Sequence, residues 1–142
     1  VERFEPLPPV ALDQGAIQQA LLNVLNNAPQ SIADDGSIEV STARAGDVAI
    51  VTIRDDGIGM AQDVRLHAAD PFFTTRSNEG ATGLGLSVAI GLVEGHGGTL
   101  ELDSAPGVGT VVRIALPFTA HIHVPTPTPA TAFPAPDPIG VL

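Results

Sequence analysis

Asp55-Asp56-Gly57-Ile58-Gly59-Met60 decides how this sequence is read, because it places a carboxylate beside a strand and glycines in the turn that follows. Residues 48–54 begin with the β-branched run Val-Ala-Ile-Val-Thr-Ile, which predicts a buried strand. Gly57 and Gly59 permit positive φ and the close approach of a ligand. Asp-Gly is also a common turn pair, so Asp55 taken alone is better explained as part of an ordinary turn.

A second glycine pair lies downstream in Gly83-Leu84-Gly85-Leu86 and opens an apolar run. Helical spacing predicts a helix over residues 84–94, which Gly95-His96-Gly97-Gly98 ends. Free N–H groups at the start of a helix favour anions, although a plain glycine turn into a core helix is the simpler interpretation of this pair alone. A carboxylate turn, a loop over residues 57–82 and a glycine-opened helix, in that order, indicate a nucleotide site.

The segment that precedes these turns is predicted to be a helix from Asp13, its N-cap, to about residue 28. Asn23 and Asn27 lie at i and i+4 on one face, with Gln19 one turn earlier on the same stripe. Amide oxygens are ligands that suit Mg²⁺. For Asn27, capping of the helix end is an equally good interpretation.

Two β-hairpins are predicted, over residues 37–54 and 99–116, each with a glycine-containing turn. With two helices, they predict an α/β (α+β) two-layer sandwich: a mixed, mostly antiparallel sheet with helices on one face. Residues 1–12 are Pro-rich and extended, with room for one short strand. Seven of the thirteen prolines fall between Pro117 and Pro138, so residues 118–142 are predicted to be a mobile tail, or else a Pro-rich ligand for a partner.

Composition excludes several classes of protein. The 142 residues suit one domain, and the absence of Cys rules out disulfides and thiolate metal sites. The net charge is −10 and all six cations are Arg, which argues against a nucleic-acid surface and, without Lys, against a P-loop. There is no starting Met, signal peptide or apolar run of about 20 residues. We therefore expect a fragment of a longer protein that makes no membrane contact itself.

An aromatic pair interrupts the polar loop, in Asp70-Pro71-Phe72-Phe73-Thr74-Thr75-Arg76. Two adjacent Phe in a loop need a surface to bury against. A movable lid that carries Arg76 towards phosphates and a loop stapled to the core explain this equally well. His96, beside three glycines, is predicted to be structural, and His121 and His123 lack the partners of a metal site.

Together these segments resemble the ATP-binding domain of sensor histidine kinases, in the superfamily that includes DNA gyrase, heat-shock chaperone ATPases and a mismatch-repair ATPase. The resemblance covers residues 13–117 and rests on five ordered motifs. These are an N box (residues 19–28), a first glycine box (Asp55-x-Gly57-x-Gly59), an F box (residues 70–73, followed by Thr74-Thr75 and a basic residue), a second glycine box (Thr82-Gly83-Leu84-Gly85-Leu86) and a final one (Gly107-x-Gly109-Thr110).

The resemblance implies a Bergerat-type fold that binds ATP and Mg²⁺. Asn27 would coordinate the metal, with Asn23 contributing nearby, and Asp55 would bind the adenine amine. Residues 60–82 would form an ATP lid, with Arg76 as its cation. The remaining residues implied to line the nucleotide are Gly57, Gly59, Phe72, Phe73, Thr82, Gly83, Leu84, Gly85, Leu86 and Thr110.

The reaction implied is transfer of the γ-phosphoryl group to a His on a separate helical-hairpin domain of the same or a sister chain, and indirectly to a response-regulator receiver. Residues 1–12 would be the linker from that upstream domain, and the protein would be cytoplasmic and bacterial. Two departures from the pattern, Ala69 before the F box and Gln30 at a usually basic position, keep open a degenerate nucleotide-binding or anti-sigma-like scaffold module. ATP-hydrolysing members carry a Glu where this chain has Asn23, and an amide cannot act as a base.

Overall fold

The computed structural model describes residues 1–27, 36–75 and 82–119, which contain five strands and three helices. In chain order they are β1 (Glu2–Phe4), α1 (Gln14–Asn27), β2 (Ile38–Ala45), β3 (Val48–Asp55), α2 (Gln62–His67), α3 (Gly85–Glu94), β4 (Thr99–Ala105) and β5 (Gly109–Pro117). Both predicted hairpins and both long helices are present, and the loop between residues 57 and 82 contains the short helix α2. Pro29 and Gln30 lie outside the described residues.

The strands form one sheet in the order β1-β2-β3-β5-β4. β1 runs parallel to β2, and every other neighbouring pair is antiparallel. The predicted mixed, mostly antiparallel sheet is confirmed. The short strand that residues 1–12 allow is β1, which forms one edge of the sheet. The register places Asp55, the last residue of β3, between Ile38 on one side and Thr110 on the other.

Alternation along the strands sends one face of the sheet into the core. On β5, Val112, Ile114 and Leu116 are buried, whereas Arg113 points to the exposed face. α1 and α3 pack side by side over this apolar face and contribute the buried residues Ile17, Ala20, Val24, Ala89 and Val93. The predicted two-layer sandwich with helices on one face is therefore confirmed.

The start of α1 is held in two ways. Asp13 Oδ1 accepts a hydrogen bond from the Ala16 N–H at 3.0 Å, as its predicted N-cap role requires. The buried ring of His96 accepts the Asp13 N–H at Nε2 (3.0 Å), and its Nδ1 lies 2.7 Å from the Leu92 carbonyl oxygen. Since the ring accepts at one nitrogen and donates at the other, His96 ties α1 to the last turn of α3, and its structural role is confirmed.

In the second hairpin the sequence predicts strands over residues 99–103 and 110–116, and both strands are longer in the structure. β4 extends to Ala105 and β5 begins at Gly109, so the turn shrinks to residues 106–108. At the far end of β5, the Phe118 N–H donates to the Asp47 carbonyl oxygen, and Arg44 lies 5.3 Å above the Phe118 ring. Across the described residues, no helix has the length and apolar character needed to cross a bilayer.

Candidate functional site

Asp55 forms the polar centre of the sheet's end. Its side chain is buried, with a residue exposure of 6%, on the same face of β3 as the core residue Ile53. Oδ1 accepts hydrogen bonds from the Gly57 N–H at 3.0 Å and from the Thr110 N–H at 3.2 Å. These two bonds fix the carboxyl plane, while Oδ2 accepts no bond from the described residues. The carboxylate is thus oriented and has one oxygen available for a donor group.

Two glycine turns interlock around this carboxylate. Gly59 has φ +66°, and a Cβ there would lie 1.9 Å from the Ala105 carbonyl oxygen. Gly109 has φ +104°, and its Cβ would lie 2.0 Å from the Asp55 carbonyl oxygen. The Gly107 N–H donates to the Ile58 carbonyl oxygen at 2.7 Å. Since neither Gly59 nor Gly109 has room for a side chain, the first and final glycine boxes pack together as one unit.

Asp56, beside Asp55, fastens the same turn to the start of β2. Its carboxylate accepts the Ser37 N–H at 2.7 Å and the Ser37 hydroxyl at 2.8 Å. These two bonds, the backbone one foremost, lower the pKa of Asp56 below its ordinary value. Asp56 therefore points away from Asp55 and serves to hold the turn.

The predicted amide pair meets the second glycine box. Asn23 is half-buried, and its Oδ1 accepts a hydrogen bond from Gln19 Nε2 at 2.8 Å, one turn earlier on α1. Asn27 is the last residue of α1 and is exposed. A Cβ on Gly85 would lie 3.9 Å from Asn27 Nδ2 and from the Asn23 carbonyl oxygen. The two amides thus lie beside the first residue of α3.

The second glycine box folds back on the F box. Gly83 has φ +67°, and a Cβ there would lie 2.5 Å from the Phe72 carbonyl carbon. The Phe72 N–H donates to the Gly83 carbonyl oxygen at 3.0 Å. Thr82 Oγ1 accepts the Leu84 N–H at 3.4 Å, and Leu84 and Leu86 are half-buried where α3 begins.

The two Phe of the F box differ from each other. Phe73 is half-buried, with its ring centroid 5.8 Å from that of His67. Phe72 is 75% exposed and adopts φ +67°, a conformation that non-glycine residues rarely take. The expectation that both rings bury against a surface is therefore wrong for Phe72, because its backbone turns to meet Gly83 and directs the ring outward. Arg76 lies outside the described residues.

Sequence reasoning missed three polar contacts around the site. Arg65 of α2 bridges to Asp103 of β4 at 2.8 Å, and His67 Nδ1 lies 2.8 Å from Asp70 Oδ2. Ser104 Oγ joins the two glycine turns. The Arg65–Asp103 pair and the Ser104 contacts have no sequence signal, because they join segments that are far apart in the chain. The His67–Asp70 pair is local, at i and i+3. No group of three or more His, Asp or Glu side chains suited to a metal occurs among residues 1–27, 36–75 and 82–119.

Comparison with known proteins agrees with this architecture. The family described as histidine kinase-, DNA gyrase B- and HSP90-like ATPase matches residues 12–120. Sporulation kinase E of Bacillus subtilis is 35% identical over 118 residues, which are 82% of this chain and 16% of that protein. The mycobacterial sensor histidine kinase MprB superposes with a TM-score of 0.68 at 30% identity, over 82% of this chain and 81% of that one. Full-length ShkA, solved in complex with AMPPNP, gives a TM-score of 0.72 at 25% identity, over 85% of this chain and 26% of that one.

The chain therefore belongs to the family of histidine kinase-, DNA gyrase B- and HSP90-like ATPases. Within that family it is a catalytic ATP-binding domain of the bacterial sensor histidine kinase type. The predicted family resemblance is confirmed. The chain spans only 16% of the length of sporulation kinase E.

Proposed function

We propose that this domain binds ATP with Mg²⁺ and transfers the γ-phosphoryl group to a His on a separate helical-hairpin domain of the same or a sister chain. A response-regulator receiver would then accept the phosphoryl group from that His, in a bacterial cytoplasm. The observation that carries the proposal is the Asp55 carboxylate, which is buried at the sheet's end with one oxygen fixed by two backbone N–H groups. A group held in this way is suited to read one edge of a base.

Adenine recognition follows from the chemistry of that carboxylate. An ionised carboxylate only accepts hydrogen bonds, so Asp55 Oδ2 suits the exocyclic amine of adenine. Guanine carries a carbonyl oxygen at the same ring position, which would face the carboxylate acceptor to acceptor. Gly57 and Gly59 would line the base because, without side chains, they let it approach the backbone.

The side-chain amides of Asn23 and Asn27 on α1 provide the type of oxygen ligand that Mg²⁺ binds. Mg²⁺ takes oxygen ligands and is commonly held by one or two protein groups together with waters and phosphate oxygens. Asn27, at the end of α1, would coordinate the metal, and Asn23, one turn earlier and bonded to Gln19, would contribute nearby. When bound, the metal would neutralise charge on the phosphates. The start of α3 at Gly85 lies beside both amides and would offer its N–H groups to the same phosphates.

Transfer would break the bond between the γ-phosphorus and the oxygen that bridges it to the β-phosphate, and would form a phosphorus–nitrogen bond to the acceptor imidazole. ADP would leave with the bridging oxygen, and the imidazole proton would pass to solvent or a base on the hairpin domain. In such a reaction, positioning and charge neutralisation provide most of the catalysis. Asn23 would favour transfer over hydrolysis, because an amide cannot take a proton from water.

Calorimetry with a non-hydrolysable ATP analogue and Mg²⁺ tests the binding half of the proposal. We expect saturable binding to ATP analogues and none to the GTP counterpart. Phosphorylation of a cognate hairpin domain supplied in trans tests the transfer half. Absence of nucleotide binding would contradict the proposal and would leave a scaffold module, whereas binding without transfer to any plausible hairpin would leave a nucleotide-binding regulator.

A further inference from the structure

One hydroxyl group joins the two backbone segments that hold the Asp55 carboxylate. Ser104, on β4, is half-buried, and its register partner on β5 is Thr110. Ser104 Oγ lies 2.9 Å from Met60 N, 2.8 Å from the Gly109 carbonyl oxygen and 3.0 Å from Thr110 Oγ1. Three polar groups from two separate turns therefore converge on a single side-chain atom.

The directions of these three bonds follow from the hydroxyl's capacity. A Ser hydroxyl has one proton and two lone pairs. The proton goes to the Gly109 carbonyl oxygen, and one lone pair accepts the Met60 N–H. The remaining lone pair faces Thr110 Oγ1, so the Thr110 hydroxyl is the donor in that contact. The hydrogen-bonding capacity of Ser104 Oγ is thus fully used.

The two segments that Ser104 joins are the ones that supply both hydrogen bonds to Asp55 Oδ1. The Gly57 N–H belongs to the turn whose end Ser104 holds at Met60, and the Thr110 N–H belongs to the strand that Ser104 holds at its first residues. Apart from Asp55 itself, Ser104 has the one described side chain that bonds to both segments. If the Ser104 hydroxyl is removed, the Met60 N–H and the Thr110 hydroxyl lose their partner together. The backbone bond from the Gly107 N–H to the Ile58 carbonyl oxygen remains, but the side-chain connection between the two segments at Met60 is lost.

We infer that Ser104 is a positioning residue for base recognition: it fixes the Asp55 carboxylate by locking the first glycine turn to the start of β5. The inference deepens the proposed function, since its binding readout rests on ATP recognition by Asp55. Ser104 itself would not touch the nucleotide. Its loss would weaken recognition of the adenine amine more than it weakens binding of the rest of the nucleotide.

Selectivity between two nucleotides distinguishes a role of Ser104 in positioning Asp55 from a role in the stability of the fold alone. The affinities for ATP and for purine riboside triphosphate, which carries hydrogen in place of the 6-amine, are measured by calorimetry with Mg²⁺. We expect Ser104→Ala to lower the ratio of these affinities by about three- to tenfold. Ser104→Thr, which keeps the hydroxyl, should restore the ratio. Thr99→Ala, which removes an exposed hydroxyl from the same strand, should leave it unchanged.

A second readout needs no nucleotide. We expect the amide protons of Gly57 and Thr110 to exchange with solvent about threefold faster or more in Ser104→Ala, while the amide of the buried Val93 on α3 keeps its rate. If Ser104→Ala does not fold, the same measurements are made on Thr110→Val. We expect smaller changes in the selectivity ratio and in the exchange rates, in the same direction. A selectivity ratio and exchange rates equal to those of Thr99→Ala would overturn the inference. Wild-type protein that binds neither nucleotide would overturn the proposed function, and amide exchange would then decide the role of Ser104.

Discussion

Two positive-φ glycines allow the steric argument at the glycine turns to be tested against a matched control. Gly59→Ala adds a methyl group at 1.9 Å from the Ala105 carbonyl oxygen, whereas Gly46→Ala, at φ +60°, meets nothing within 4 Å. Both variants carry the cost of a left-handed conformation, about 1–2 kcal/mol. Gly59→Ala should cost at least about 2 kcal/mol more, because the backbone must move. Equal free energies of unfolding in urea would show that the two turns do not interlock.

Asp56 makes the stability of the first glycine turn depend on pH. The pKa of Asp56 is lowered in the folded protein by its bonds from Ser37, so its charged form stabilises the fold. That contribution is complete above the ordinary carboxyl value of about 4 and is lost as the pH falls through the lower folded value. We expect the melting temperature of Asp56→Asn to fall below that of the wild type at pH 7, with the gap closing towards pH 3. A gap that stays constant over this range would contradict the assignment.

At the scale of elements, His96 joins the two long helices. His96→Phe fills the ring's space but leaves the Asp13 N–H without its acceptor, so we expect a loss of about 1–3 kcal/mol in the free energy of unfolding. His67→Phe is the control, because the His67 side chain is 60% exposed and its contact with Asp70 is a surface pair worth about 1 kcal/mol or less. The prediction fails if denaturant melts of the two variants coincide.

The elements were predictable where their signal is local. The signals are the alternation in β2, the β-branched run of β3, the helical spacing of α1 and the glycines that end α3, and each depends on neighbours in sequence. The bounds of the second hairpin were less accurate, because Ser104 and Ala105 join β4 through pairing with β5, which is a property of the register. The sequence left room for β1 but did not predict its position. Its three residues form a strand because they pair with the edge of β2.

The site was predictable as a set of motifs and not as a set of contacts. Asp55, Gly59 and Gly109 follow from turn chemistry, but their interlocking depends on residues about 50 positions apart meeting across the sheet. The exposed ring of Phe72 was misjudged for a related reason, because Gly83 sets its backbone conformation from a distance. Ser104 left no signal at all, since a Ser near a hairpin turn is unremarkable until its three partners are located.

For the whole molecule, the amide at position 23 predicts how ATP is used. With no carboxylate at that position, we expect steady-state hydrolysis far below that of a gyrase-type ATPase, even at saturating ATP and Mg²⁺. Phosphate release by the isolated domain measures this directly. A hydrolysis rate that matches such an ATPase would show that another group activates water, and the proposed preference for transfer to His would then be wrong.

Adenine recognition by Asp55 is the central claim, and a charge-matched pair of variants tests it most directly. Asp55→Asn places an amide where recognition of the adenine amine needs a hydrogen-bond acceptor. Asp56→Asn removes the same charge one residue away, where the carboxylate faces Ser37. In titration calorimetry with a non-hydrolysable ATP analogue and Mg²⁺, we predict that Asp55→Asn weakens binding about 10- to 100-fold and that Asp56→Asn changes it by less than about threefold. Equal affinities for the two variants would contradict the account.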